Sequence, residues 1–198
     1  MILVISATGF VGRRLIRLLV QKYGAENIIC LVHDQTDNAL EQSGRAILKD
    51  LSVKQIPVEL VSGRGLDQVP KSNGIVFHLA SNTDIRATDH TINEVGTSNL
   101  LEAVRPLHND NHFIFTSFIA VSDHRENCDD PVDETSALLH LFNDYGRRKL
   151  ATEDYLRERC NSNGFRVSVV RLRAVFKAPV QWVSRLAAQL RGKHALAN

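Results

Sequence analysis

The chain opens on Met1-Ile-Leu-Val-Ile5, an apolar run without a polar interruption. It then passes through Ser6-Ala-Thr-Gly-Phe-Val-Gly12 into the apolar-periodic Arg13-Arg-Leu-Ile-Arg-Leu-Leu19. A strand that is apolar at every position must be covered on both faces, which points to a parallel sheet packed between helices. The same alternation continues along the chain. Further strands are predicted over Asn27–His33, Pro57–Val61, Gly74–His78, His112–Thr116 and Arg166–Leu172. Helices are predicted over Phe10–Lys22, with Phe10, Leu15, Leu18 and Leu19 inward, and over Thr36–Leu51, Asp89–Val104, Leu141–Cys160 and Val180–Leu190. Right-handed crossovers make such a sheet doubly wound, so the expected fold is α/β, a doubly wound parallel sheet in three α/β/α layers.

Composition narrows the classes of function. With 198 residues, 43% of them hydrophobic, the chain can bury a core as one domain. The 24 basic and 22 acidic residues are interspersed, so no nucleic acid or membrane surface is implied as a partner. The initial apolar run is broken too early, at Thr8-Gly9, for a signal segment or a membrane span. Cys30, Cys128 and Cys160 are scattered and fit a reducing, cytoplasmic setting better than disulfides or zinc. His108 and His112 lack companion ligands, so no metal is expected.

The first turn has the layout of a Rossmann dinucleotide site. There, one glycine permits the tight turn, a second admits the pyrophosphate, and a third lets the helix pack on the sheet. The helix N-terminus supplies amide donors and a positive dipole end. Gly9 and Gly12 hold the second and third places, and Ser6 stands at the first, where a positive φ costs a Cβ-bearing residue about 1 kcal/mol. The candidate cofactor contacts here are Ser6, Thr8, Gly9, Phe10, Val11, Gly12 and Arg13. The plainer reading of the same residues is a strand–helix turn with glycines for packing. At the end of the second strand, an acid for the ribose 2′-hydroxyl is replaced by Val32 and His33, with Asp34 beyond. With Arg13 nearby, this favours NADP(H) over NAD(H), and His33 is either a phosphate contact or a solvated loop residue.

Tyr145 and Lys149 lie i,i+4, so both side chains can reach one site. An ammonium stabilises phenolate and brings a tyrosine towards general acid/base duty. Alone the spacing is common. Its weight comes from its position after the fifth strand of a nucleotide-binding sheet.

The pieces Ala7-Thr-Gly-Phe-Val-Gly12, Val76-Phe-His-Leu-Ala80, Asn93 with Gly96-Thr97, Phe115-Thr-Ser117, Glu134 and Tyr145-xxx-Lys149 resemble the extended, epimerase/dehydratase-like branch of the short-chain dehydrogenase/reductase superfamily. The segments around Ile119-Ala-Val121 and Tyr145-Gly-Arg-Arg-Lys149 also resemble its thioester- and fatty-acyl-reductase members. The resemblance implies that Leu79, Ala80 and Ser81 line the adenosine half of the cofactor. It also implies that Tyr145 donates the proton and Lys149 binds the nicotinamide ribose. The chain departs from the pattern at Ser6, at Arg64 after Gly63, and at Arg171-Leu-Arg-Ala-Val-Phe-Lys177. A further departure is Phe118, which falls where the family has a catalytic Ser/Thr; Ser117 is the remaining hydroxyl candidate for that role, with Thr116 beside it.

On this reading, residues 1–178 form the dinucleotide-binding domain and 179–198 an amphipathic helix, the remnant or start of a substrate lobe. Trp182, Val183, Leu186 and Leu190 of that helix either pack on the sheet or form a homodimer contact. Two functions stand at this point. One is an NAD(P)-dependent oxidoreductase acting on a small-molecule or acyl-type substrate. The other is a catalytically impaired relative acting as a nucleotide-binding regulatory or assembly partner.

Overall fold

The computed structural model describes residues 1–34, 38–71, 74–82, 89, 91–118, 121 and 144–172. Its strands are β1 (Ile2–Ile5), β2 (Ile28–His33), β3 (Lys54–Val58), β4 (Ile75–His78), β5 (His112–Phe118) and β6 (Arg166–Leu172). The helices are α1 (Gly12–Tyr23), α2 (Ala39–Asp50), α3 (Thr97–Ala103, entered through a wide π turn at Ile92–Gly96) and α4 (Asp144–Asn163). All five pairings are parallel, and the strand order is β3-β2-β1-β4-β5-β6. This is the doubly wound Rossmann arrangement, and the winding reverses between β1 and β4. Ligands of such sheets bind outside the strand C-termini at that reversal.

The two faces of β1 explain its unbroken apolar run. Ile2 and Val4 pack with Ile16 and Leu19 of α1 and Leu48 of α2. Leu3 and Ile5 pack on the opposite face with Leu100 and Leu101 of α3 and Leu156 of α4. Cys30 lies inside the first of these layers, where burial pushes its thiol up to about 12, so it is no nucleophile at neutral pH.

Several expectations shift in detail. The buried stripe of α1 is Gly12, Ile16 and Leu19, with Leu15 packed beside it, while Leu18, about 200° around the helix from Ile16, is 64% exposed. Phe10 stays in the turn, with the Arg14 guanidinium 4.0 Å from its ring centroid. The third strand is Lys54–Val58 rather than Pro57–Val61. Val58 accepts a hydrogen bond from Asp34 N, so Val58 faces β2 and Pro57 turns its missing N–H to the open edge. The chain leaves the sheet at Glu59, whose carboxylate accepts from the amides of Val61 and Ser62. Gly65 then brings the return loop against the Pro57 carbonyl, where a Cβ would collide. The fifth strand runs on through Ser117 and Phe118. Glu134, the helix at Val180–Leu190 with its homodimer contact, and the 179–198 segment lie outside the described residues. Among those described, no helix is long and apolar enough to cross a membrane.

Candidate functional site

The β1–α1 turn is built from backbone. Ser6 has φ +62°, a left-handed conformation that favours glycine, and its carbonyl accepts from Gly9 N at 3.1 Å. A Cβ on Gly9 would stand 3.1 Å from Ser6 Oγ, a tight contact that the serine would have to relieve by a few tenths of an ångström. A Cβ on Gly12 would meet the Ser6 carbonyl and come within 2.6 Å of Ala7 Cα, which fixes how closely α1 approaches the strand end. No side chain caps α1 and no acid stands in its first turn, so its N-terminal field is open to an anion. Val11 stands at the helix cap, and Arg13 N closes the turn onto the Gly9 carbonyl at 3.0 Å.

Beside the turn, a cleft of about 160 Å³ opens at the ends of β1, β2, β3 and β4. Ser6, Thr8, Val32, His33, Ala80 and Ser81 line it, together with two acids that sequence reasoning missed, Glu41 and Glu59. Thr8 Oγ1 donates to Glu41 Oε1 at 2.7 Å. Gly44, one turn along α2, is so close that a Cβ would lie 2.6 Å from Thr8 Cβ; α2 is thus docked on the nucleotide turn. The one signal for Glu41 in the sequence is its place in the first turn after Asn38, whose side chain accepts from Leu40 N. Asp34 pairs its Oδ2 with Arg64 Nε, while its Oδ1, 3.8 Å from His33 Nδ1, is buried without a hydrogen-bond partner among the described residues. Both Glu59 oxygens are taken by the turn amides, hydrogen bonds from Ser62 being the main reason its carboxyl is held low. Ser81 Oγ donates to Asn93 Oδ1 at 2.8 Å, whereas Leu79 turns to the α1/α2 core.

At the same end of the sheet, one face of α4 carries Tyr145, Lys149 and Glu153 at i, i+4 and i+8, all buried. Lys149 Nζ donates to the Thr116 carbonyl at 2.9 Å, and lies 4.5 Å from the Phe115 ring centroid and 6.0 Å from that of Tyr145. Burial pushes the Lys149 ammonium down to about 8, against an upward pull from the Glu153 carboxylate. His78, at the end of β4, points its Nε2 at Thr97 Oγ1, 2.8 Å away. Thr97 Oγ1 donates to the Asn93 carbonyl, so His78 Nε2 carries the proton. Burial, with the Lys149 charge second, pushes His78 down to about 3, and the ring is neutral at physiological pH.

The strand end separates the two residues next to Thr116. Ser117 is buried on the side of Glu153, whereas the Phe118 ring packs on Tyr145, with centroids 5.7 Å apart. The structure therefore brings Tyr145 and Lys149 together as expected from their spacing. It gives the contact on Tyr145 from this strand to Phe118. Among the described residues, no three His, Cys, Asp or Glu side chains converge as metal ligands.

Solved structures share this fold at low identity. A UDP-glucuronic acid 4-epimerase from Bacillus cereus, in complex with NAD and a fluorinated sugar nucleotide, is 23% identical with a TM-score of 0.72 over 86% of this chain and 55% of its own. A UDP-glucose 4-epimerase from Thermus thermophilus in complex with NAD is 21% identical, with a TM-score of 0.70 over 86% and 54%. The terminal R domain of the myxalamid biosynthetic pathway is 21% identical, with a TM-score of 0.69 over 87% and 48%. The chain thus spans about half the length of the structures it matches. No curated protein sequence matches it. The model of one family, NAD dependent epimerase/dehydratase, matches residues 2–191, and the chain belongs to that family.

Proposed function

We propose that the chain binds a nicotinamide dinucleotide across the C-terminal ends of its strands and works as an oxidoreductase-type enzyme of the extended short-chain dehydrogenase/reductase kind, on a carbonyl, hydroxyl or acyl-type substrate. One observation carries this reading. Lys149 is buried one helical turn from Tyr145, at the same sheet end as the positive-φ turn. Burying an ammonium costs stability, and such costs concentrate at functional sites.

The residues fit the cofactor. The uncapped α1 N-terminus suits a pyrophosphate. Glu41 uses one oxygen on Thr8 and keeps the other for a ribose hydroxyl. Bound nicotinamide supplies the hydride chemistry. Tyr145 gives or takes the proton of the substrate oxygen, with the Lys149 cation one helical turn away on the same buried face.

The strand end at Val32 and His33 favours NADP(H) on sequence grounds, but Glu41 and Glu59 on the cleft wall would repel a 2′-phosphate. We therefore take NAD(H) as the ligand. Calorimetric titration with NADH and NADPH tests this. Micromolar binding, about −8 kcal/mol and stronger for NADH, is expected, and no binding up to about 1 mM removes the cofactor. Tighter NADPH binding would instead assign the extra phosphate to Arg45, one turn along α2 from Glu41, whose buried Nε and Nη2 have no hydrogen-bond partner.

A second reading rests on Phe118. An aromatic ring on Tyr145 offers no hydrogen bond to a substrate, which suits a nucleotide-binding regulatory or assembly protein. NADH binding without turnover of aldehydes, ketones or sugar nucleotides would support it. Turnover that disappears in Tyr145→Phe would support the enzyme.

A further inference from the structure

The buried face of α4 does not end at Lys149. Glu153 follows one turn later, with no exposed surface, and arginines from two elements grip it. Arg171 of β6 donates from Nε to Oε1 at 3.2 Å and from Nη2 to Oε2 at 2.7 Å. Arg157, on the next turn of α4, adds Nη2 to Oε2 at 2.8 Å. Resting on the cofactor reading above, we propose that Glu153, locked in place by Arg171, is a positioning residue that sets the charge of Lys149.

The surroundings of Lys149 give Glu153 this leverage. From β4 it faces the neutral ring of His78, and from β5 the Thr116 carbonyl and the Phe115 ring. Ser117 of β5 lies against Glu153, Tyr145 shares the α4 face, and α3 contributes the Thr97 hydroxyl bonded to His78. Among the described residues, Glu153 is the negative charge acting on Lys149. An ammonium in a low-dielectric layer, with one neutral acceptor in reach, stays protonated near neutral pH only if a carboxylate opposes desolvation. The carboxylate must itself stay ionised. Burial pushes Glu153 up, but the Arg171 hydrogen bonds and the two guanidinium charges outweigh it and hold the carboxyl below its usual range. Arg171 reaches Glu153 because β6 pairs in register with β5, placing Arg171 opposite Ser117. The charge at the end of α4 thus depends on the last strand of the sheet.

A purely structural tie between α4 and β6 would require only the hydrogen bonds. The test therefore removes the charge and reads Lys149 itself: glutamine keeps one acceptor oxygen for the guanidinium groups, and a lost hydrogen bond alone would not move the Lys149 midpoint. In [15N]lysine-labelled protein, the Lys149 Nζ signal, assigned by its loss in Lys149→Arg, is titrated by NMR in wild type, Glu153→Gln and Glu153→Asp. Wild type is expected to titrate near 8. Glu153→Gln should titrate about one pH unit lower, a tenfold change in proton affinity, and Glu153→Asp should fall between. NADH affinity should weaken with rising pH along the same midpoints. Should Glu153→Gln fail to fold, Glu153→Asp keeps a buried carboxylate opposite the arginines and carries the test alone. A Lys149 midpoint equal to wild type in a folded variant overturns the proposal. The titration needs no cofactor, so a shifted midpoint without NADH binding breaks only the cofactor reading. An unshifted midpoint with intact NADH binding breaks only this one.

Discussion

The two ends of the candidate site are made of different materials. At the β1–α1 turn the working groups are backbone: a positive φ at Ser6, a glycine at 12 that no Cβ could replace, and helix amides left uncapped. At α4 they are ionisable side chains in a water-poor layer, with Lys149 at its centre. A backbone site depends on shape and is indifferent to pH. A side-chain site depends on protonation and carries a stability cost. The contrast predicts that mutations at the two ends fail in different ways.

The largest effect should come from Tyr145→Phe, which is expected to lower turnover by at least about 100-fold while NADH affinity stays within about twofold. Steady-state kinetics beside calorimetry checks this, and parallel losses of both would merge the two ends into one binding surface. Gly12→Ala should do the reverse. Its new methyl meets backbone at Ser6 and Ala7, so NADH binding should vanish together with about 1–3 kcal/mol of stability by urea unfolding. Unchanged binding would show that the close approach of α1 is dispensable.

Lys149→Met should lose NADH affinity yet gain about 1–3 kcal/mol of stability at pH 7, because it removes a buried ammonium. The sign follows from linkage. A folded value near 8 lies below the unfolded value of 10.5, so the unfolded chain binds more protons between them. Wild-type stability therefore rises as pH climbs through that window, and the rise should be absent in Lys149→Met. A wild-type stability curve flat from pH 8 to pH 10 would contradict it. The smallest effect is expected from Ser6→Gly, which relieves the left-handed strain and should add about 0.5–1 kcal/mol without weakening NADH binding.

The legible parts of the chain were those where local pattern and tertiary role coincide. β1 read as a strand because both of its faces are buried, and β4 and β5 because each buries one face fully and the other in part. β3 was shifted because an edge strand shows no continuous apolar run and its proline contradicts the usual strand signal. Ser6 announced its strain by standing where a glycine is expected. Glu41 did not announce itself, since its place on the cleft follows from the docking of Gly44 on Thr8, a contact between residues 36 positions apart. Glu153 lies eight residues beyond Tyr145 on the same face. Its importance became visible once β6 delivered Arg171 to it.

The return loop at Gly65 has a consequence for the sheet as a whole. An unpaired edge is a template on which a strand of another molecule can grow. Here Pro57 withholds a donor from that edge, and the loop lies against the carbonyl that would accept one. Lys54, exposed at the start of the strand, adds a charge that a stacking neighbour would have to bury. On its β3 side the sheet is therefore terminated chemically as well as topologically, and strand-by-strand polymerisation has no foothold there.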